Sequence, residues 1–175
     1  HNKMRSPADS EKAKILSRFF KTGPGEYGEG DKFLGIVVPR IRAVVREFED
    51  LPLKDIARLI KSGFHEERLL ALLILVGQFE KAGEEKRLAI YNFYLKHTGY
   101  INNWDLVDLT APNIVGAYLN DKNKNILYKL ARSKSLWERR IAMLATFYFI
   151  RQGRADEAPQ CWIAKPAPLS AGVIP

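Results

Sequence analysis

The chain has 175 residues, 46% hydrophobic and 27% charged, enough apolar content for one core or a short repeat array without disulfide or metal staples. A single cysteine, Cys161, excludes an internal disulfide and a multi-cysteine zinc site and points to a reducing, cytoplasmic setting. The formal charge of +8 favours polyanionic partners, and no apolar run approaches the roughly 20 residues of a membrane span, so a soluble protein with no membrane partner is expected.

The first three residues, His1-Asn2-Lys3 ahead of Met4, read as an expression remnant or an internal cut rather than a targeting segment. Apolar residues then recur at three- and four-residue intervals, which predicts helices over 8–21, 40–48, 53–61, 64–81, 84–97, 103–118, 122–132 and 135–152. Between the first two lies the stretch GPGEYGEG at 23–30. With four of the chain's glycines it cannot be helix throughout, and lacking a following Gly-Lys-Ser/Thr it is no phosphate-binding loop; an ordered loop or a linker is expected. The segment 64–81 is apolar nearly all round, as a helix packed on several sides must be. Gly63, Gly83, Gly99 and Asn120-Asp121 punctuate the later helices. In the last of them Trp137, Ile141, Leu144 and Tyr148 fall on one face. Three successive hairpin-like units, 53–61 with 64–81, 84–97 with 103–118 and 122–132 with 135–152, suggest stacked helical pairs with a concave face. From 154 to 175 the chain turns proline-rich and loses its period, so the predicted division is a helical domain at 1–153 and an irregular tail at 154–175.

The segment YINNWDLVD at 100–108 carries the most chemical information. Asn102 or Asn103 can cap a helix on which Trp104 and Asp108, four residues apart, share a face. An indole beside a carboxylate can contact a sugar or a cationic base through its π face while the carboxylate stabilises developing positive charge. The competing reading makes Trp104 core and gives Asp108 a backbone or arginine partner. Asp105, in the first helical turn, is assigned to the helix dipole.

Seven cations stand against Asp121 and Glu138 between residues 121 and 140, so much of the excess charge lies there. Within this segment Trp137 and Arg140 repeat the aromatic-plus-charge pattern, with core packing as the alternative for Trp137. Arg139 and Arg140 point about 100° apart on a helix, so only one reaches an inner face, to bind phosphate or pair with Asp108. The histidines His1, His65 and His97 are isolated and show no metal-ligand spacing. There is no serine elbow, and Cys161 has no evident base nearby.

Three ordered motifs together resemble a known family. They are FFKTGPGEYGEGDKFLGIVVP at 19–39, NWDLVD at 103–108 with Ala111-Pro112, and LWERRIA at 136–142. The likeness, over about residues 8 to 153, is to the DNA alkylation repair enzymes, the AlkD-like alkylpurine DNA glycosylases. It implies an all-α superhelix of HEAT-like repeats that wraps duplex DNA in a basic groove and hydrolyses the N-glycosidic bond of cationic N3- or N7-alkylpurines. No cofactor and no metal are implied, and the protein is expected to be a bacterial, cytoplasmic monomer associated with the nucleoid through DNA.

By motif, the resemblance makes Asp108 the catalytic carboxylate, Trp104 a sugar-contacting aromatic and Arg140 the arginine beside the lesion. Tyr27, Arg139, Trp137 and Lys134 are expected at the DNA. The likeness stops where the tail begins, which reads as a truncated or divergent C-terminus. Trp162 matches nothing in the family, and the loss of a terminal repeat would expose an apolar face. Two other readings stay open: a non-catalytic DNA-binding relative and a protein-binding helical scaffold.

Overall fold

The computed structural model describes residues 8–154, which fold as stacked helical pairs with no strand among them beyond an isolated bridge between Lys32 and Phe64. In chain order the helices are α1 (Ser10–Phe19), α2 (Val38–Glu47), α3 (Leu53–Ile60), α4 (His65–Lys81), α5 (Glu84–Lys96), α6 (Trp104–Asp108), α7 (Ala117–Leu119), α8 (Asn125–Ala131) and α9 (Leu136–Arg151). A 3-10 turn, Thr98–Tyr100, precedes α6, and a π-helical turn, Pro112–Gly116, runs into α7. The sequence readings at His1, Cys161 and Trp162 lie outside the described residues.

Local chemistry sets the helix ends. Asp9 caps α1, its carboxylate accepting the N–H groups of Glu11 and Lys12 at 3.1 Å each. Helix α2 starts two residues before its predicted position because Pro39, with φ already suited to a helix, occupies the first turn. Ser135 caps α9, its hydroxyl accepting the Glu138 N–H at 3.4 Å.

The predicted pairs form. Helix α3 packs on α4, α5 on the α6–α7 segment, and α8 on α9. The second member of each pair stacks on its neighbour, α4 against α6 and the π turn, and these in turn against α9. This layer contributes the fully buried Leu72, Leu75, Leu106, Ile114, Ile141 and Phe149, one contiguous core through all three pairs. The chain is therefore an α-α solenoid.

One predicted helix is broken. The period expected over 103–118 runs through Pro112, which has no N–H to donate to the Asp108 carbonyl. Helix α6 closes instead with Leu109 N–H on Asp105 O at 3.2 Å and Thr110 N–H on Val107 O at 3.1 Å, and the chain widens into the π turn. Side chains cover the opened carbonyls: Asn113 Nδ2 donates to Leu109 O at 2.9 Å, and Thr110 Oγ1 to Leu106 O. The buried Tyr94 of α5 completes the repair by donating its hydroxyl to Thr110 Oγ1 at 2.9 Å. Asp108 thus stands at the end of a five-residue helix, beside a break.

The glycine-rich stretch is a packed loop of successive turns, with Gly28 N–H on Lys21 O at 3.0 Å and Asp31 N–H on Gly28 O at 3.1 Å. Gly28 is buried, and a Cβ there would sit 2.4 Å from Phe20 O and 3.2 Å from Asn103 Nδ2. Only glycine lets the loop lie this close to the Phe20 carbonyl at the end of α1, with the Asn103 side chain beside it. Further on, the Glu66 carboxylate of α4 accepts the N–H groups of Leu34, Gly35 and Ile36 at 2.9 to 3.2 Å. At the other end, Arg154, expected in the tail, returns to the helical body. Its N–H bonds Phe149 O at 2.9 Å and its guanidinium reaches Asn120 and Asp121 at 3.1 and 2.9 Å. The rest of the predicted tail lies outside the described residues. No helix among the described residues is long and apolar enough to cross a membrane.

Candidate functional site

Helix α6 begins at Asn103, whose Oδ1 accepts the Trp104 N–H at 2.9 Å. One turn later the same face presents Asp108. From α9, Arg140 reaches across and donates Nε–H to Asp108 Oδ1 and Nη2–H to Oδ2, both at 2.7 Å. This is a bidentate, charge-assisted pair. The side chains keep 31% (Asp108) and 33% (Arg140) of their surface exposed, so both remain within reach of a ligand. The hydrogen bonds that Arg140 donates to Asp108 hold its guanidinium above its ordinary pKa against a smaller opposing effect of burial.

Trp104 stacks on Phe20 at 5.3 Å between centroids and meets Phe19 edge-on at 6.0 Å. It is half-buried, leaving part of the indole in a cleft of about 660 Å³ that is also lined by Tyr27, Trp137, Arg139 and Arg140. Tyr27 and Trp137 touch edge to face at 5.9 Å, which joins the glycine-rich loop to α9 across the cleft. Trp137 also packs against the core, as its alternative reading expects, while part of the ring lines the cleft. Asp108 does not line the cleft itself and meets it through Arg140.

The neighbouring arginine has a different job. Arg139 Nη1 donates to the carbonyls of Ser133 and Lys134, both at 2.9 Å, and so braces the loop before α9. Lys134 is exposed on that loop and does not line the cleft. The basic segment is also less available than its composition suggests. Lys122 pairs with Glu84 at 2.7 Å and lies over the Tyr118 ring, and Lys124 lies over Phe149 at 4.9 Å. Lys129, Arg132 and Lys134 stay exposed.

Beneath α6 is a buried polar cluster that sequence reasoning missed. His65, 2% exposed, places Nδ1 3.0 Å from Asp31 Oδ2 and Nε2 2.8 Å from Asp105 Oδ2. Asp31 also accepts from Asn103 Nδ2 at 3.1 Å and from the Arg68 guanidinium. The reading of Asp105 as a first-turn charge for the helix dipole is corrected here: it is buried, with His65 and the Leu106 N–H as partners. Burial works to lower the His65 pKa, but the hydrogen bonds to Asp105 and Asp31 prevail and raise it above 6.5. For Asp31, burial works upward and is outweighed by His65, Arg68 and Asn103, which hold it below 3.8. Partners 34 and 40 residues apart leave no local pattern. The one available signal was His65-Glu66-Glu67-Arg68, four polar residues opening the most apolar helix on the chain. Among the described residues, no group of three or more His, Cys, Asp or Glu side chains could hold a metal ion.

The family model of the DNA alkylation repair enzymes matches residues 1–166. The chain belongs to that family. Membership makes it an enzyme of DNA alkylation repair, and the matched region contains Tyr27, Trp104, Asp108 and Arg140 and runs on past Gly153. No curated protein and no solved structure matches the chain. The cleft offers aromatic faces and two arginine side chains, and the Asp108 carboxylate stands behind it on Arg140.

Proposed function

We propose that this member of the DNA alkylation repair family is a glycosylase that hydrolyses the N-glycosidic bond of cationic N3- or N7-alkylpurines in duplex DNA. It acts as a monomer without metal or cofactor. The observation that carries the reading is the Asp108–Arg140 pair at the border of an aromatic cleft.

A purine alkylated at N3 or N7 already carries positive charge and leaves as a neutral base, so the enzyme need not protonate it. What the reaction requires is stabilisation of the oxocarbenium-like sugar and a placed water. Asp108 supplies both, since its charge lowers the energy of the sugar cation and its oxygens orient the nucleophile. Arg140 occupies one acceptor direction on each oxygen and fixes the carboxylate plane, leaving the other lone pairs for water. Trp104 offers its exposed π face to the sugar or cationic base, and Trp137 with Tyr27 does so from across the cleft. In this reading Lys134, exposed outside the cleft, contacts the phosphate backbone, and Arg139 shapes the loop that carries it.

The test is release of 7-methylguanine from a duplex oligonucleotide under single-turnover conditions, by the chain and by its Asp108→Asn variant. Asn keeps the shape but loses the charge, and removal of one electrostatic stabiliser costs roughly a hundredfold to a thousandfold. The expected result is a loss of at least that size with fold and DNA binding retained. Equal release by both proteins would remove Asp108 from the mechanism. Salt-sensitive DNA binding without base release by either would point to a binding relative instead.

A further inference from the structure

The hydrogen-bond geometry around His65 favours a doubly protonated ring. Its two ring nitrogens face carboxylate oxygens at 3.0 and 2.8 Å, and a carboxylate only accepts. A neutral imidazole has one N–H and would turn a lone pair toward one of these oxygens. Asp31 cannot relieve the conflict, because it accepts from Arg68, Asn103 and His65 together. Asp105 has Oδ1 engaged by the Leu106 N–H, so only Oδ2 faces the ring. With His65 protonated the cluster is neutral: Asp31 and Asp105 against His65 and Arg68. The remaining charges nearby are engaged elsewhere, Glu66 on the N–H groups of 34–36 and Glu67 on Ser62.

The cluster ties three elements together: the end of the glycine-rich loop through Asp31, α4 through His65 and Arg68, and α6 through Asn103 and Asp105. Helix α6 needs such a tie. Five residues cannot hold a helix by their own hydrogen bonds, and Pro112 cuts α6 off from the π turn and α7. Ring contacts run the same way: Phe20 and Phe33 lie 4.9 and 4.6 Å from the His65 ring, and Phe20 stacks on Trp104.

We propose that His65 is a positioning residue: as a buried imidazolium shared by Asp31 and Asp105, it locks α6, and with it Trp104 and Asp108, against the glycine-rich loop that carries Tyr27. The part of this inference that concerns base release rests on the glycosylase reading; the lock itself does not. Removing the proton at alkaline pH leaves two carboxylates against a single N–H and loosens α6. Since a misplacement of about 1 Å at a catalytic group costs up to about a hundredfold, base release falls about tenfold to a hundredfold as His65 titrates, with DNA binding less affected.

The experiment is ¹⁵N NMR of the histidine side chains across a pH titration of the full chain, with His65→Gln assigning the His65 signals and Trp104→Phe the indole N–H. Expected are two protonated ring nitrogens on His65 at neutral pH, and an alkaline transition in which the Trp104 indole signal moves with the His65 signal. Asp105→Asn removes one anion, so both transitions move together to lower pH. A pyridine-type nitrogen on His65 at neutral pH overturns the proposal, as does a Trp104 signal that ignores the His65 transition. If His65→Gln does not fold, the wild-type titration and Asp105→Asn still decide. Absence of base release at every pH would refute the glycosylase reading alone, because the coupled NMR transition stands or falls independently.

Discussion

The stacking of α9 on the π turn rests on the absence of one side chain, and alanine at Gly116 should break it. A Cβ there would lie 2.3 Å from the Ala145 carbonyl oxygen and 2.7 Å from Tyr148 Cβ. Real Cβ contacts do not fall below 3.0 Å, so α9 must retreat by about 0.7 Å from the π turn. The obstacle is main chain, which cannot rotate away, and overpacking of this kind costs about 1–3 kcal/mol, here toward the upper end. Against this, replacing glycine by alanine in helical backbone gains about 0.5–1 kcal/mol by restricting the unfolded chain. The clash wins, for a net loss of about 2 kcal/mol, or roughly 4–8 °C in Tm for a chain of this length. Gly77 in α4 supplies the control, because a Cβ there meets nothing within 4 Å. Gly77→Ala should therefore stabilise by about 0.5–1 kcal/mol. Urea and thermal denaturation of both variants would read the two signs. Gly116→Ala as stable as wild type, or Gly77→Ala equally damaging, would refute the close-packing argument.

Arg140→Lys tests whether the bidentate pair serves the site more than the fold. Since both groups are about one-third exposed, it should cost no more than about 1 kcal/mol in urea denaturation. Base release should fall at least about tenfold, because an ammonium cannot fix the carboxylate plane; a stability loss with unchanged release would reverse the assignment. Gly28→Ala, which drives a methyl into Phe20 O and toward Asn103, should destabilise by about 1–3 kcal/mol and change Trp104 fluorescence. An unaltered emission spectrum would mean that the loop does not hold α6. Stability should also depend on pH at both ends. The raised pKa of His65 gives stabilisation that is complete below 6.5 and lost as pH rises through the folded value. The lowered pKa of Asp31 gives stabilisation complete above 3.8 and lost as pH falls through its folded value. Urea midpoints across pH should therefore form a plateau with two falling edges, and an alkaline edge that survives in His65→Gln would show that another group causes it.

The all-helical architecture was legible in the order of residues, because the apolar spacing that buries one face of a helix is a local property, repeated every three or four residues. That order also set the three helical pairs, a cap at Asn102 or Asn103, of which the structure uses Asn103, and the shared face of Trp104 and Asp108, all of which depend on neighbours within about one turn. The motifs at 19–39, 103–108 and 136–142 were legible as a family, and the family match agrees with them. Pro112 was visible too, yet the periodic pattern across it masked the break that ends α6 at Asp108. Tertiary structure alone decided the rest. Arg139 and Arg140 are equivalent in sequence until α9 is seated on α6 and turns one toward Asp108 and the other toward Ser133 and Lys134. The charge of the basic segment could be counted but not apportioned, since Glu84, which pairs with Lys122, and the Phe149 ring beneath Lys124 come from distant helices. The cluster around His65 joins residues from three parts of the chain, Asp31, His65 and Asp105, and no spacing rule connects them. Helical periodicity is written in adjacent turns, whereas a hydrogen bond between distant side chains exists only after packing has brought its two ends together.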